Sequence, residues 1–280
     1  MNFFIAFRKV LKLPLTLALR FKFIRLRMIY ELRQNWFSDL SIGIPLSDGF
    51  SCPIPELDSL YSFSEIFVTG EYGTTFQKIP LPKRWLDLGC HTGYFSLYLA
   101  WQHTIAGTAD WRALLIDADP RMEKFAKATL KANGMDGHCT MLSGMISAVQ
   151  GESDFALRPG MGSSSDLGMG DIQEIRRVKT VSAEDILKVF PPPYDLIKID
   201  IEGGEYEFLE HYGAVYSQAT FILLEWHSQD REGTGGDRAE KILAKNGFRL
   251  LETVRPLREL ILSGEWYASG VQLYQRESSL

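Results

Sequence analysis

From residue 85 onward, short apolar runs alternate with stretches of helical period. Residues 85–88, 114–116, 139–143, 194–201 and 220–225 are compact apolar runs of strand length. Between them, residues 94–102, 122–133, 204–212 and 236–246 carry apolar residues at helical spacing. Asn133-Gly134 and Gly247 supply stop signals for two of these helices. Residues 248–254 and 271–275 read as two closing strands joined by a long loop.

Strand–helix alternation predicts an α/β domain whose parallel sheet is covered on both faces. The closing pair, with no helix between, predicts an antiparallel C-terminal edge. Residues 144–193 interrupt the alternation as an insertion, with strand-like pieces at 153–158 and 176–182 around a glycine- and serine-rich stretch. Ser163, Ser164 and Ser165 sit in that stretch, which reads equally as a surface loop or as a lid that hydrogen-bonds a ligand. Two helices, at 2–13 and 15–34, are expected around Pro14, and Pro53, Pro55, Pro80 and Pro82 punctuate the mixed segment 35–84. The expected division is a helical arm and linker at 1–60 and one domain at 61–280.

Charge changes the picture mainly at the N-terminus. The 280-residue chain has a net charge of −5, yet residues 1–33 hold Arg8, Lys9, Lys12, Arg20, Lys22, Arg25, Arg27 and Arg33 against the acid Glu31. The acidic body gives no reason to expect a nucleic-acid partner. The basic, apolar arm suggests peripheral contact with an anionic membrane, or packing on the body. The longest uncharged stretch there is seven residues, 13–19, short of the roughly 20 needed to span a bilayer. Cys52, Cys90 and Cys139 suggest neither a disulfide framework nor a zinc site, so a cytoplasmic protein is expected, bound peripherally at the inner membrane surface if the arm engages lipid.

Candidate chemistry begins at Asp87-Leu-Gly-Cys-His-Thr-Gly93, a strand end running into a helix start. Gly89 and Gly93 permit a tight turn and close backbone approach to a ligand. Their spacing is not the Gly-x-Gly-x-x-Gly of dinucleotide enzymes, which argues against NAD. Asp117 ends the next strand, where an acid can accept both hydroxyls of a ribose. Asp119 shares that role or caps the following helix. Asp87, His91, Tyr72 and Tyr94 complete the expected cofactor set, Tyr94 being equally a core aromatic of its helix.

The strand at 194–201 sets Ile197, Ile199 and Ile201 against Lys198 and Asp200, with Glu202 following in phase. Charge within a buried parallel strand requires partners, and the carboxyl end of such strands is where open sheets bind ligands. Asp200, Glu202 and His227 are the expected catalytic residues, one of them the general base. Glu205 reads as an acceptor-side acid or a first-turn helix acid, and Lys198 as the partner of Asp87, Asp200 or Glu225. The acids with His227 would suit Mg²⁺, but nothing requires a metal and none is expected. His91 reads more readily as a loop residue than as a catalyst, and His103, His138 and His211 as surface residues.

Asp87–Gly93, Asp117-Ala-Asp-Pro120, Asn133-Gly134 and the run Leu196-Ile-Lys-Ile-Asp-Ile-Glu-Gly-Gly-Glu-Tyr206 together resemble the FkbM family of methyltransferases, as do Glu71-Tyr72-Gly73 and Leu224-Glu-Trp-His227. The departure is Asp117, where the family commonly has Glu directly before Pro. The resemblance implies a Rossmann-like seven-strand fold, S-adenosylmethionine as cofactor, and methyl transfer to a hydroxyl of a sugar in a glycan, glycolipid or natural product. The alternatives are an inert cofactor-binding scaffold at a membrane and an NAD-dependent oxidoreductase.

Overall fold

The structure, a computed structural model, describes residues 43–277 except 48, 56, 159–162, 166–171, 230–233 and 263–264, together with the isolated positions 24 and 28. The chain divides into two compact units, Met1–Ile44 and Pro45–Leu280. The two expected arm helices and the basic cluster lie outside the described residues. The second unit begins at Pro45, so residues 45–60, expected to go with the arm, belong to the body.

After a short strand, Ser51–Pro53, the body forms α1 (Leu57–Phe63), which continues into a wider π-helical turn, Ser64–Thr69. Then come β1 (Arg84–Leu88), α2 (Tyr94–Ile105), β2 (Arg112–Asp117), α3 (Glu123–Ala132) and β3 (Cys139–Ser143). The insertion contributes β4 (Met145–Ile146), β5 (Glu152–Leu157), β6 (Glu174–Val181) and α4 (Ala183–Val189). The chain closes with β7 (Tyr194–Ile199), α5 (Glu205–His211), β8 (Ala219–Ser228), α6 (Gly235–Lys245), β9 (Phe248–Leu262) and β10 (Glu265–Arg276).

Seven strands form one sheet in the order β9-β10-β8-β7-β1-β2-β3. The five from β8 to β3 run parallel, while β10 lies antiparallel to β8 and β9 antiparallel to β10. This is the expected Rossmann-like seven-strand fold with its antiparallel C-terminal edge. The parallel strands are apolar on both faces because helices cover both; Leu86, Leu88, Leu114, Ile197, Ile199 and Ile222 are all fully buried or nearly so. Chain order reverses between β1 and β7, and such a switch point opens a crevice at the carboxyl ends of the strands.

One expectation needs correction. Residues 255–270 are no long loop: β9 and β10 run on as a hairpin from Phe248 to Arg276. Pro256 gives the impression of a break, and it marks a register irregularity between Arg255 and Arg258. An edge strand tolerates this, because the missing N–H faces away from the ladder or falls in a bulge. In its described residues the insertion carries the two expected strand pieces, as β5 and β6. β5 and β6 pair antiparallel, β6 pairs with β4, and Ser164 pairs with Ala156. The insertion then enters α4 through a capping box, in which Ser182 Oγ accepts from the Asp185 amide at 3.2 Å and Asp185 accepts from the Ser182 amide at 2.9 Å.

Candidate active site

The bend after β1 is shaped by two glycines with left-handed torsions, Gly89 (φ 73°) and Gly93 (φ 80°). The Gly89 and Cys90 amides both donate to the Ile116 carbonyl, at 2.9 and 3.1 Å, tying the bend to β2. A Cβ on Gly89 would stand 1.6 Å from the Asp200 carbonyl oxygen, so only glycine lets the bend lie against the end of β7. The bend and Asp200 therefore share one rim. Gly93 opens α2 beneath the rim, facing Leu115 and Ala126, and it serves helix packing rather than the ligand face.

Asp117, at the tip of β2, accepts the His91 amide at 2.6 Å and the Asp119 amide at 2.8 Å, one on each oxygen. Each oxygen keeps a lone pair free for a hydroxyl donor. Burial raises the Asp117 carboxyl to about 6, against the lowering effect of those two amides. Asp119 is committed differently: Arg121 holds both its oxygens, with contacts of 2.5 to 3.0 Å, and Arg121 also donates to Ser163 Oγ at 3.0 Å. Of the two acids, Asp117 keeps acceptor capacity toward the cavity, and Asp119 fixes the insertion to the rim through Arg121. His91 has φ 49°, and burial and then Lys198 hold its imidazole down at about 4, so it is neutral.

Asp87 departs from its expected place. It is fully buried, not a lining residue, and it accepts Ser96 Oγ at 2.7 Å while standing 3.8 Å from Lys198 Nζ. Lys198 in turn reaches Asp200 at 3.0 Å and the Gly89 carbonyl at 2.9 Å. Burial opposes its charge, but Asp200 and Asp87 outweigh that and keep the ammonium above its usual range. Asp87 thus neutralises the lysine that ties the bend to β7. It acts from underneath.

On the other side of Asp200, Glu202 takes a left-handed torsion (φ 52°), and its carboxylate accepts Tyr267 OH at 3.1 Å. Burial raises Glu202 to about 7, with His227 pulling the other way. His227, at the end of β8, donates Nδ1–H to Glu205 at 2.9 Å, and its Nε2 stands 3.8 Å from Glu202 and 3.6 Å from Glu225. Burial works against an imidazolium here, yet Glu202 and Glu205 hold it well above the usual histidine range. The acids around it thus favour the imidazolium, which turns His227 away from the expected general-base role. Glu225 is pushed up by burial and down more strongly by His227, Arg255 and Lys198, settling at about 2. Arg255 from β9 bonds Glu225, reaches Glu71 at 2.7 Å and Ser269 Oγ at 3.1 Å.

These groups surround a cavity of about 340 Å³. Of the residues expected from sequence, Tyr72, Gly89, His91, Tyr94, Asp117, Asp119, Asp200, Glu202 and His227 line it, as do Ser163 and Ser165, whereas Asp87, Gly93 and Ser164 do not. Tyr72 meets Phe95 edge-on at 5.3 Å, and Tyr94 turns its hydroxyl away to the Pro53 carbonyl. Ala118, Met122, Met145 and Phe155 make an apolar wall beside Asp117. Arg255, Arg258 and Tyr267 also line the cavity and escape sequence reasoning, because their segment reads as a loop. His103 is likewise no surface residue. It is 1% exposed, bonded to the Pro82 carbonyl at 2.8 Å and stacked on Trp85. Asp200, Glu202 and His227 bring ligand-type atoms within 4.8 Å of one another, as an acid–imidazole network also does.

The donor set suits a nucleoside sulfonium: free acceptor lone pairs on Asp117 for a diol, an apolar wall for a flat base, and carboxylates for a cationic centre. The chain matches the FkbM methyltransferase domain over residues 87–250, more than half its length. It is 27% identical over 190 residues to a protein assigned as a methyltransferase in Jannaschia sp. (strain CCS1), spanning 62% of this chain and 64% of that relative's length. Among solved structures it is similar to a precorrin-6y C5,15-methyltransferase from Geobacter metallireducens GS-15, with 14% identity, TM-score 0.43, and coverage of 75% and 88% of the two chains. It is also similar to a protein assigned as an O-methyltransferase from Klebsiella pneumoniae, with 16% identity, TM-score 0.42, and coverage of 76% and 81%. From the domain match, read with the glycine bend and the strand-end acids, the chain belongs to the FkbM family of methyltransferases, a family that implies S-adenosylmethionine as cofactor.

Proposed function

We propose that this methyltransferase transfers its methyl group to a hydroxyl of a sugar, in a glycan, glycolipid or natural product. The observation that carries the reading is Glu202, a cavity-lining carboxyl raised to about 7 and therefore able to take a proton near neutrality. Polar groups in the cavity lining support a hydroxyl-bearing partner: Glu65, Glu71, Ser62, Ser269 and Arg258 offer acceptors and donors.

S-adenosylmethionine, when bound, supplies an electrophilic methyl carbon on a good, neutral leaving group. Asp117 would hold its ribose, Ala118, Met122, Met145 and Phe155 its base, and Asp200 would face the cationic end. The chain's task is then alignment, which can supply about 7–11 kcal/mol of barrier reduction. Glu202 removes the hydroxyl proton as the oxygen attacks, worth roughly 10²–10⁴-fold. The positive charge on His227 keeps Glu202 from rising further and steadies the anion that takes the proton. Asp200 is held by Lys198 and orients rather than exchanges protons.

The test is Glu202→Gln, assayed by labelled-methyl transfer to glycan and lipid extracts. The expected result is a loss of about 10²–10⁴-fold in kcat with S-adenosylhomocysteine affinity held within about threefold. Full activity in the variant would remove Glu202 as the base. Mass spectrometry of the extracts, seeking one CH₂ per site, identifies the acceptor. We also propose that the basic segment 1–33 brings the enzyme to anionic membrane, which would suit a lipid-linked acceptor.

A further inference from the structure

One buried carboxylate beside the cavity takes no part in these steps. Glu205 opens α5, is 0% exposed, and does not line the cavity. It nevertheless touches both sides of the acceptor region. Its Oε1 accepts the Ile201 amide at 3.1 Å and His227 Nδ1 at 2.9 Å, and its Oε2 accepts the Gly203 amide at 3.0 Å. The two amides bracket Glu202, whose left-handed torsion is costly for a residue with a side chain and persists only when neighbours over-determine it. The imidazole bond leaves Nε2 of His227 as the ring atom turned to Glu202 and Glu225.

We infer that Glu205 is a positioning residue, a single carboxylate that sets both the Glu202 bend and the orientation of the His227 ring. It works as the carboxylate partners of catalytic and metal-bound histidines do, fixing which nitrogen faces the chemistry. The groups facing His227 are Glu225 on its own strand, Asp200 and Glu202 at the end of β7, Glu205 of α5, and Tyr267 of β10, stacked at 5.5 Å. Among the described residues, Glu205 is the one that meets Nδ1 at hydrogen-bond distance. The inference rests on the proposed roles of Glu202 and His227, but its test reads the ring directly and needs no acceptor.

The experiment is nitrogen-15 NMR of histidine-labelled enzyme with S-adenosylhomocysteine, the His227 signals being assigned by their loss in His227→Asn. Wild-type enzyme is expected to show a proton on Nδ1 at low field, persisting near neutral pH. In Glu205→Gln that resonance moves upfield, and the ring titrates lower by about one unit or more. Affinity for S-adenosylhomocysteine stays within about threefold, because the glycine bend is anchored by Ile116 and Lys198 instead. An unprotonated Nδ1 in the wild type overturns the inference without any variant, so a Glu205→Gln chain that fails to fold still leaves it decidable. An unchanged His227 spectrum in a folded Glu205→Gln also overturns it. A failure of sugar methylation with these NMR results intact would count against the acceptor reading alone.

Discussion

A missing side chain at position 89 and a carboxylate at position 117 shape the rim where we propose the cofactor binds. Gly89→Ala is expected to cost about 3 kcal/mol or more, since overpacking costs about 1–3 kcal/mol and a left-handed torsion adds roughly 1–2 kcal/mol. Urea unfolding reads the first loss, and calorimetry with S-adenosylhomocysteine should find binding abolished. Asp117→Asn should weaken that binding at least about tenfold, or about 1.4 kcal/mol, and equal affinity would exclude Asp117 from the ribose contact. Asp87→Asn should act mainly on stability, because removing one partner of a buried ion pair costs about 3–5 kcal/mol. At this scale the sequence reveals which residues gather at the strand ends, but not which way each one turns. Asp87 and Asp200 both follow apolar runs, yet one is sealed beneath Ser96 and Lys198 while the other meets the cavity. Asp119 looks equivalent to Asp117 in sequence because no spacing rule announces the Arg121 clamp.

Strands and helices from β1 to α6 are legible in the chain, apart from β4 and α4 of the insertion, since apolar runs and glycine stops fix them locally. The β9–β10 hairpin is not. Pro256 breaks the ladder at a bulge, and by pattern alone the bulge passes for the end of the strand. That misreading hides Arg255, Arg258 and Tyr267, so the cavity wall supplied by the sheet edge has no sequence signal. Arg255 bridges β9 to Glu225 on β8 and to Glu71. Arg255→Ala takes from two half-buried carboxylates, Glu71 and Glu225, the cation that bridges them, and Glu225 should then titrate upward. The expected outcome is a lower unfolding midpoint at neutral pH than at mildly acidic pH, relative to wild type, read by paired urea titrations.

Acids of opposite tendency shape how the whole body responds to pH. Glu202 has a folded pKa of about 7 against an ordinary 4.5, so the folded state keeps a proton that the unfolded state has lost. Its contribution to stability therefore falls as pH rises across that interval. Glu225, at about 2, contributes the other way: its stabilisation is complete above 4.5 and is lost as pH falls toward 2. Glu202→Gln should flatten the slope of stability against pH between 4.5 and 7 and leave the acid limb unchanged. A chain starting at residue 45 should fold, whereas one starting at residue 61 should be markedly less stable, because Ser51 exchanges hydrogen bonds of 2.8 and 2.9 Å with Asn133, and Pro53 accepts Tyr94 OH. Removing residues 1–33 should release the protein from anionic liposomes without lowering the unfolding midpoint. Among the described residues no helix is long and apolar enough to cross a membrane. The walls of the cavity come from segments as distant as Ser62 and Ser269, so no local fragment can make a binding-competent surface. A ligand held there must report on the cooperative unit entire: at a hundredfold excess over its dissociation constant it should raise the unfolding free energy by about 2.7 kcal/mol. Thermal melting with graded nucleosides thus becomes a direct census of what this crevice accepts.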